Sequence, residues 1–427
     1  MNIPDLSRVK ESFEAFHAHF APTFGRKQWR ERSRDYLQAL LVQDQERCNA
    51  ENLSEVVESS PRVLQRFLTE AHWDDDAVTA ALQEYLASRL AHPQAVWAVD
   101  ESGVVKQGKK SVGVARQYCG AVGKVANCQR GIYLAYIGPR GRAVVDKRLY
   151  LPREWTEDAE RCEQAGIPGS QCSYQSQSAL ALGLLERAQQ LGHLQAQWVT
   201  GDDAYGKSPE FRDGVDALGL WYMLEVPGNT PVWPVLTRYF TPKPPERGRH
   251  PDPRPQAAQR KEMQERAQAL PASTWQSITV AEGAQGPRTY LFAFERRRES
   301  HEGEPGKVME LVYRTNLDGS EARYYFSNAP EETSAETKAW VAAARWPIET
   351  EFESNKSDVG LDEYEVRGWS GWNHHITLCL LASAFLLTLQ QDWKKRSAVD
   401  NASPSVSGGL CALASQGLDG CRFTFVA

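Results

Sequence analysis

Apolar residues in the first part of the chain recur at the spacing of amphipathic helices. In Trp29 to Leu41 and again in Val78 to Leu90 they follow one another every three or four residues, which places them on one helix face. No alternation typical of strands interrupts residues 1–92. The sequence therefore predicts an N-terminal helical domain over these residues.

Within this block, two short segments have the pattern of a helix-turn-helix. Leu53 to Val57 is followed by a break at Ser59 and Ser60, and Pro61 then takes the first position of a second helix that runs to Leu68. Helix pairs of this kind read DNA in some proteins and only pack together in many helical bundles. The pattern therefore has two interpretations, DNA binding and simple packing.

From residue 93 onward, the apolar pattern becomes that of strands and then alternates between strands and helices. Strands are predicted at 95–99, 131–137 and 143–151, followed by a helix at 178–194, a strand at 197–200, a helix at 209–218 and a strand at 220–226. The turn at 138–141 joins the second and third strands. This order is that of a ribonuclease-H-like α/β core, which we assign to residues 93–226.

The order of this core is interrupted between residues 227 and 332. A loop rich in Pro and Arg at 242–255 precedes strand patterns at 276–280, 288–294, 308–315 and 323–327, and together they predict a β-rich insertion. The capping-box spacing of Thr333 and Glu336 opens a long helix, with which the core resumes over 333–393. Small and polar residues from Lys394 onward predict a flexible tail at 394–427.

Composition limits the kinds of partner and compartment. The formal net charge is −6, so any contact with DNA must be local rather than spread over the surface. The eight cysteines include no CxxC pair, which indicates reduced thiols rather than a zinc site or a disulfide framework. The start has no signal-peptide pattern, and the longest apolar run, Ile376 to Leu389, is too short to cross a bilayer. We expect a cytoplasmic protein with no membrane partner.

Three acidic residues stand at informative places in these patterns. Asp100 follows the strand at 95–99, Asp202 follows the strand at 197–200, and Glu349 lies on the late helix. Two carboxylates at strand ends and one on a helix can hold two divalent metal ions, the arrangement that cuts and rejoins phosphodiesters without a covalent enzyme intermediate. Oxygen ligands favour Mg²⁺ or Mn²⁺ over zinc. Taken singly, each Asp is more often a turn or helix-cap residue, so the inference depends on the trio.

Basic residues accompany these carboxylates. On the late helix, Arg345 and Lys356 flank Glu349 and Glu353 on one predicted face, although an exposed face with ion pairs has the same spacing. Basic clusters at 26–34 and 242–261 are further candidates for phosphate contacts. The cluster at 26–34 is equally compatible with an ordinary exposed helix, because acidic residues are interleaved with it. The candidate phosphate-binding residues are Arg345, Lys356, Lys106, Lys109, Lys110 and Arg116.

Several longer motifs resemble those of the insertion-sequence 701 family of DDE transposases, in the same order from about residue 20 to residue 390. They are Asp100 to Gly103, Gly108 to Tyr118, Asn127 to Gln129, Leu149 to Pro152, Gly201 to Gly206 and Gly360 to Arg367. This resemblance implies a ribonuclease-H-like core with a β insertion between the second Asp and the Glu. It also implies two Mg²⁺ ions and cut-and-paste movement of a DNA element through its terminal inverted repeats.

By motif, the resemblance makes Asp100, Asp202 and Glu349 the metal ligands. Related insertion-sequence-4-type enzymes carry a Tyr, Arg, Glu, Lys signature, and here Ala342 stands in place of the Tyr, ahead of Arg345, Glu349 and Lys356. Four acidic neighbours are substitutes if the register differs, and they are Glu101, Asp203, Glu351 and Glu353.

Three functions are compatible with these features. The first is a transposase that cleaves element ends and joins them to target DNA, acting as a dimer on double-stranded DNA in a bacterial cytoplasm, at the nucleoid when bound. The second is a domesticated relative that binds or recruits without cutting, against which the retention of all three carboxylates argues. The third is a ribonuclease-H-like nuclease for branched DNA or hybrids.

Overall fold

The computed structural model describes residues 3–42, 48–243, 252–283 and 286–400, and it falls into two compact units. The first unit comprises the described residues up to 196 together with those from 346 onward, and the second comprises residues 197–345. This division differs from the predicted boundaries at 226 and 332, because the chain leaves the first unit before the fifth strand and returns only after the insertion.

The N-terminal block of the first unit consists of helices throughout its described residues. They are α1 (Ile3–Phe20), α2 (Lys27–Leu41), α3 (Ala50–Val56), α4 (Pro61–Thr69) and α5 (Asp75–Leu90). The Asn49 side chain accepts backbone N–H groups at the start of α3, and the Asp74 side chain does so at the start of α5. These caps satisfy donors that have no partner inside the helix, so the sequence sets where each helix begins.

The predicted helix pair is present as α3 and α4, with Pro61 in the first turn of α4. Leu64, Phe67 and Leu68 of α4 are buried, while Arg62 and Gln65 on its other side are exposed. The pair therefore packs into the unit through one face and leaves the other face to solvent.

Four antiparallel strands follow, and β3 is the centre of their sheet. They are β1 (Val96–Val105), β2 (Ala115–Cys119), β3 (Lys124–Gly138) and β4 (Gly141–Leu149). Cys128 of β3 pairs with Val105 of β1 and also with Ala115 of β2, so β1 and β2 lie on opposite edges of β3. The predicted turn at 138–141 is confirmed, because Gly138 pairs with Gly141. Helices α6 (Arg153–Thr156), α7 (Ala159–Gln164) and α8 (Gln177–Leu191) complete this segment.

The second unit begins with two parallel strands and continues as an antiparallel sheet. Its elements are β5 (Trp198–Gly201), α9 (Asp203–Gly206), α10 (Pro209–Ala217), β6 (Trp221–Val226), β7 (Pro231–Trp233), β8 (Tyr239–Phe240), β9 (Arg254–Pro255), β10 (Lys261–Glu262), α11 (Met263–Ala269), β11 (Gln276–Gly283), β12 (Gly286–His301), β13 (Glu304–Thr315), β14 (Arg323–Ser327) and α12 (Ala335–Ala343). Strand β5 is parallel to β6, as expected for strands joined through helices.

The strands predicted as an insertion extend the same sheet as β6. Strand β14 pairs antiparallel with β6, β13 pairs with β14, and β12 pairs with β13. Buried apolar side chains such as Leu224, Phe326 and Leu311 line this sheet. The molecule is therefore of the mixed α/β class, as predicted.

The chain returns to the first unit in two helices, α13 (Trp346–Val359) and α14 (Trp369–Asp400). The long helix predicted from residue 333 is wrong, because α12 ends at Ala343 and α13 begins at Trp346. Pro347 has no N–H to donate to Ala343 four residues earlier, so it prevents one continuous helix. Ser334 caps α12 by accepting the N–H of Thr337.

Helix α14 is the central helix of the first unit. It contacts α2, α4, α5, α13 and β4. Its stretch Trp369–Arg396 is long and apolar enough, by length and composition, to cross a membrane, but most of that stretch is buried inside the protein, as in a core helix. The helix continues to Asp400, past the predicted start of the tail at Lys394, and the rest of the predicted tail lies outside the described residues.

The cysteine prediction is wrong at one place. Cys162 and Cys172 form a disulfide that closes the loop after α7. No CxxC spacing marks this pair, since the loop brings together cysteines ten residues apart. Four other cysteines in the described residues are free and buried, and they are Cys48, Cys119, Cys128 and Cys379.

Candidate active site

Asp100 lies in the middle of β1 rather than at a strand end. The strand continues to Val105 because β3 supplies ladder partners along its whole length, so the polar residues after Val99 do not end it. Asp100 is buried, with 9% of its surface exposed, and its Oδ1 accepts the N–H of Glu101 at 2.8 Å. The predicted position at a strand end is wrong for this residue.

Helix α13 brings Glu349 to the side of the sheet that carries Asp100. Asp100 stands directly opposite Tyr133 of β3, so the two side chains share one face of the sheet. The ring of Tyr133 packs edge to face against Phe352 of α13, with 5.1 Å between ring centroids. Glu349 precedes Phe352 by three residues, or about one helical turn. Asp100 and the exposed Glu349 therefore belong to the same side of the first unit.

Asp202 lies in the second unit, directly after β5 as predicted. Its side chain accepts the N–H of Ala204 at 3.0 Å and so caps α9, the structural role that the sequence left open. Burial raises the pKa of Asp202 above its ordinary value, and the nearby Arg345 guanidinium opposes this rise. A desolvated carboxylate of this kind is one whose charge a cation would stabilise.

Arg345 is not part of the predicted basic and acidic helix face. It lies in the turn before α13, where its Nε is 3.1 Å from the Glu225 carboxylate in the second unit. Arg345 lies off this face because Pro347 prevents α12 and α13 from forming one continuous helix. Glu349, Glu353 and Lys356 remain together on α13 at helical spacing.

Three of the four neighbouring acidic residues form ion pairs in the structure. Glu101 faces the opposite side of β1 from Asp100 and pairs with Arg130 at 3.2 Å. Glu351 pairs with Arg142 at 3.1 Å, and burial raises the pKa of its carboxyl group. Asp203 pairs with Lys207 at 2.8 Å. These contacts give Glu101, Glu351 and Asp203 structural roles, and Asp100, Asp202 and Glu349 stay the predicted ligands.

The predicted phosphate-binding residues fall into two groups. The Lys106 ammonium donates to the Tyr364 carbonyl at 2.6 Å and lies 3.5 Å from the centroid of the Tyr364 ring, and burial lowers its pKa to about 8. It therefore has an internal role. Lys109, Lys110 and Arg116 are exposed.

The donor atoms suit a hard divalent cation. Asp100 and Glu349 supply carboxylate oxygens on one side of the first unit, the first buried and the second exposed, and Asp202 supplies a third carboxylate that burial partly desolvates. Across the described residues, no three His, Cys, Asp or Glu side chains within one cluster form a ready metal site. Of the three predicted ligands, Asp100 and Glu349 belong to the first unit and Asp202 belongs to the second.

Comparison with known proteins decides the family. Residues 19–287, more than half of the chain, match the family described as DDE superfamily endonuclease. The chain belongs to the DDE superfamily of endonucleases. The matched residues include Asp100 and Asp202 and end before Glu349.

A curated relative of this DDE endonuclease supports the predicted likeness to insertion-sequence 701 proteins. It is the probable transposase for insertion sequence element IS701 of Microchaete diplosiphon, 25% identical over 198 residues, which are 45% of this chain and 48% of the relative. The chain spans about half the length of the curated relative that it matches.

Two solved structures are similar to this DDE endonuclease at low levels. A piggyBac transposase synaptic complex with hairpin DNA matches at a TM-score of 0.39 and 11% identity over 90% of this chain and 76% of that chain. The NurA nuclease from Sulfolobus solfataricus matches at a TM-score of 0.23 and 8% identity over 78% of this chain and 94% of that chain. Neither likeness is close enough to bear on the site.

The segment between β1 and β2, which carries Lys106, Lys109 and Lys110, is called the basic loop. Sequence reasoning missed the residues that hold this loop in place. The Asn127 amide donates to the carbonyls of Lys106 and Gly108, both at 2.7 Å, and the Gln129 amide donates to the Val112 carbonyl at 2.6 Å. Tyr364 in turn donates to Gln129 at 3.1 Å. These residues lie in the motifs that carry the family resemblance, which was the available signal. They hold the loop that presents Lys109 and Lys110.

Proposed function

We propose that this DDE endonuclease is a transposase. It binds the terminal inverted repeats of an insertion sequence, cleaves the DNA at its ends and joins them to target DNA. The observation that carries the proposal is the placement of Asp100 and Glu349 on one side of the first unit, through the contact of Tyr133 with Phe352. Family membership and the likeness to an insertion-sequence 701 transposase support it.

The proposal includes a ribonuclease-H-like core. The antiparallel strands β1, β3 and β4, followed in the chain by α8, β5, α10 and β6, support it because they repeat the expected order of strands and helices. The proposal requires the Asp202 carboxylate to bind the same metal ions as those of Asp100 and Glu349.

Asp100, Asp202 and Glu349 would hold two Mg²⁺ ions, with Mn²⁺ as a substitute. Bound ions of this kind activate a water or a 3′-hydroxyl and stabilise the leaving oxygen. The chain itself contributes a fixed, desolvated carboxylate on β1, a helix-capping carboxylate after β5 and an exposed carboxylate on α13. Burial raises the pKa of Asp202, so a bound cation would stabilise the charged form of this carboxylate.

Basic side chains near these carboxylates would hold the DNA backbone. Lys109 and Lys110 extend from the anchored loop, Arg116 extends from β2, and Lys356 lies on the same helix as Glu349. Cleavage and joining of two element ends require at least two copies on double-stranded DNA, so we infer a homodimer when DNA is bound. This substrate would place the protein in the cytoplasm, at the nucleoid when bound.

A plasmid excision assay tests the proposal. The plasmid carries the native gene with its flanking DNA, and the purified chain is added with Mg²⁺. We expect excision by the wild type, and no cleavage but retained binding of the ends for Asp100→Asn, Asp202→Asn and Glu349→Gln. Retained cleavage in any of the three variants would remove that residue from the site.

The same assay separates the other two functions. Binding of element ends by the wild type without any cleavage would indicate a protein that recruits or bridges. Cleavage of branched DNA or hybrids without joining of ends would indicate a nuclease.

A further inference from the structure

One segment of the chain is strongly basic although the whole chain is acidic. Residues 102–145 contain eight Lys and Arg residues and no Asp or Glu, in a chain whose formal net charge is −6. Some of the eight are bound internally: Lys106 donates to Tyr364, Arg130 pairs with Glu101, and Arg142 pairs with Glu351. The remaining five, Lys109, Lys110, Arg116, Lys124 and Arg140, are exposed, and Arg140 also donates to the Ala91 carbonyl.

Large apolar side chains are exposed in the middle of this basic segment. We define the hairpin tip as residues 115–125, which comprise β2, a 3₁₀ turn at Gly120–Val122 and the start of β3. Tyr118 is 55% exposed, Val122 44% and Val125 53%. Single exposed apolar residues are ordinary, but a contiguous group rimmed by polar residues indicates a surface that binds something.

The exposed apolar side chains of the hairpin tip lie on one face of the sheet. Tyr118 stands directly opposite Val125, and Arg116 stands opposite Asn127, so these side chains share one face of the sheet. On the opposite face, Cys119 is buried against Gly103, where a Cβ atom would meet the Cys119 sulfur at 2.9 Å. Cys119 therefore anchors the tip to β1 from one face, while Tyr118 and Val125 are exposed on the other.

The face with Tyr118 and Val125 is the face that carries Asp100. Along β3, Val125 and Tyr133 are eight residues apart, an even number, so their side chains point to the same side, and Tyr133 stands opposite Asp100. At about 3.3 Å per residue, the tip lies roughly 26 Å along the strand from Asp100. That length corresponds to about eight base pairs of duplex DNA, at about 3.4 Å per pair.

We propose that the hairpin tip binds duplex DNA about eight base pairs from the bond that is cut. This inference rests on the proposed function and adds a second point of contact to it. Arg116 and the Lys109–Lys110 pair bind phosphates, while Tyr118 and Val125 lie against sugars and base edges in the minor groove, as apolar side chains do in many minor-groove proteins. Charge favours DNA over a second copy, because two identical basic tips repel each other.

Photocrosslinking from position 118 tests the proposal directly. A photoreactive phenylalanine derivative replaces Tyr118 in the full chain, which is irradiated in EDTA with a labelled 30-base-pair duplex from the native flanking DNA. We expect an adduct of one chain with one DNA strand. An adduct of two chains would make the tip an interface between copies, and absence of a DNA adduct would also overturn the proposal.

Substitutions measure how much the contact contributes. Tyr118→Ala combined with Val125→Ser should weaken binding of the same duplex roughly tenfold, equivalent to about 1.4 kcal/mol. Leu317→Ala is the matched control, because Leu317 is 60% exposed in the second unit and far in sequence from the basic segment. Equal affinities for the double variant and the wild type would contradict the proposal.

The readouts also separate this inference from the proposed function. Binding in EDTA does not depend on cleavage, so a wild type that binds and crosslinks but never cleaves in Mg²⁺ would overturn only the transposase proposal. A wild type that cleaves, with no crosslink from position 118, would overturn only the role of the hairpin tip.

Discussion

At the scale of single residues, the face of β1 on which an acidic side chain lies distinguishes the predicted metal ligand from a residue with a structural ion pair. Asp100 and Glu101 are neighbours in sequence, yet β1 directs the first towards α13 and the second towards Arg130. From the sequence alone either residue could be the ligand, because two adjacent acidic residues do not show which face of the strand each side chain takes. The pairing partner of each residue in β3 supplies that direction.

This difference predicts opposite outcomes for two matched variants. Asp100→Asn should lower the cleavage rate by about 1,000-fold or more, the effect of losing about 4 kcal/mol of transition-state stabilisation. Glu101→Gln removes the pair with Arg130, on the opposite face of β1, and should leave cleavage within a few-fold of the wild type. Single-turnover cleavage of the native end in Mg²⁺ measures both rates, and the reverse order of effects would exchange the two assignments.

The lysines of the basic loop should differ in the same way. Lys109→Gln combined with Lys110→Gln removes two exposed charges, so the slope of log affinity against log salt should decrease by about 1.8 for duplex DNA. Lys106→Gln should leave that slope unchanged and destabilise the fold instead, because its ammonium is bound to Tyr364. A slope that changes equally in both variants would give Lys106 a phosphate as well.

At the scale of elements, α14 connects the N-terminal helices to the rest of the first unit through two buried histidines. His374 has Nδ1 2.7 Å from the Leu68 carbonyl and Nε2 3.3 Å from the Trp73 carbonyl, one of which accepts the single N–H of the neutral ring, and it stacks on the Trp73 ring with centroids 3.9 Å apart. His375 bonds to the Tyr36 hydroxyl and the Gly360 carbonyl. Burial lowers the pKa of His374 to about 4 and that of His375 to about 3. Both side chains are therefore neutral in the folded protein near pH 7.

Acid should weaken this connection. A histidine whose pKa is lower in the folded state takes up a proton more readily when unfolded, so stability is present above pH 6.5 and falls as the pH decreases towards 4. Each such histidine adds a slope of up to about 1.4 kcal/mol per pH unit in that window. Denaturant unfolding at pH 7, 6 and 5 measures it.

A matched pair of variants checks the source of this slope. His374→Gln should make the free energy of unfolding less dependent on pH, while His301→Gln, at an exposed position in the second unit, should not. Equal slopes in both variants and the wild type would assign the acid sensitivity to other groups.

Elements with strong local signals were predictable from the sequence. The hairpin turn at 138–141, strand β6 and helix α10 lie within about a residue of their predicted bounds, because glycine and proline mark their ends. The length of β1 was not predictable, since Asp100, Glu101 and Ser102 interrupt the apolar run and only pairing with β3 continues the strand. The pairing of β14 with β6 is a long-range contact that no local pattern contains.

At the scale of the whole molecule, the candidate ligands come from two compact units. Asp100 and Glu349 belong to the first, and Asp202 belongs to the second. The family resemblance predicted which three residues to choose, whereas the helix packing that places Glu349 beside the face of Asp100 came from the structure. The disulfide between Cys162 and Cys172 likewise depends on how a loop folds rather than on spacing.

Assembly on DNA gives a prediction at this scale. Sedimentation of the chain with a duplex that carries one element end should give a complex of two chains and two duplexes, since both ends must meet for excision and joining. Asp100→Asn should form the same complex, because the variant changes the chemistry and not the surface. A complex of one chain with one duplex at saturating concentrations would contradict the homodimer.

Iron-directed cleavage of the polypeptide tests the central claim most directly. Fe²⁺ replaces Mg²⁺ on oxygen ligands, and with ascorbate and peroxide it generates radicals that cut the nearest backbone. If Asp100, Asp202 and Glu349 share one metal site, fragments should end near all three residues, and excess Mg²⁺ should suppress all three cuts together. Cuts near residues 100 and 349 without one near 202, or cuts that Mg²⁺ does not suppress, would contradict the shared site.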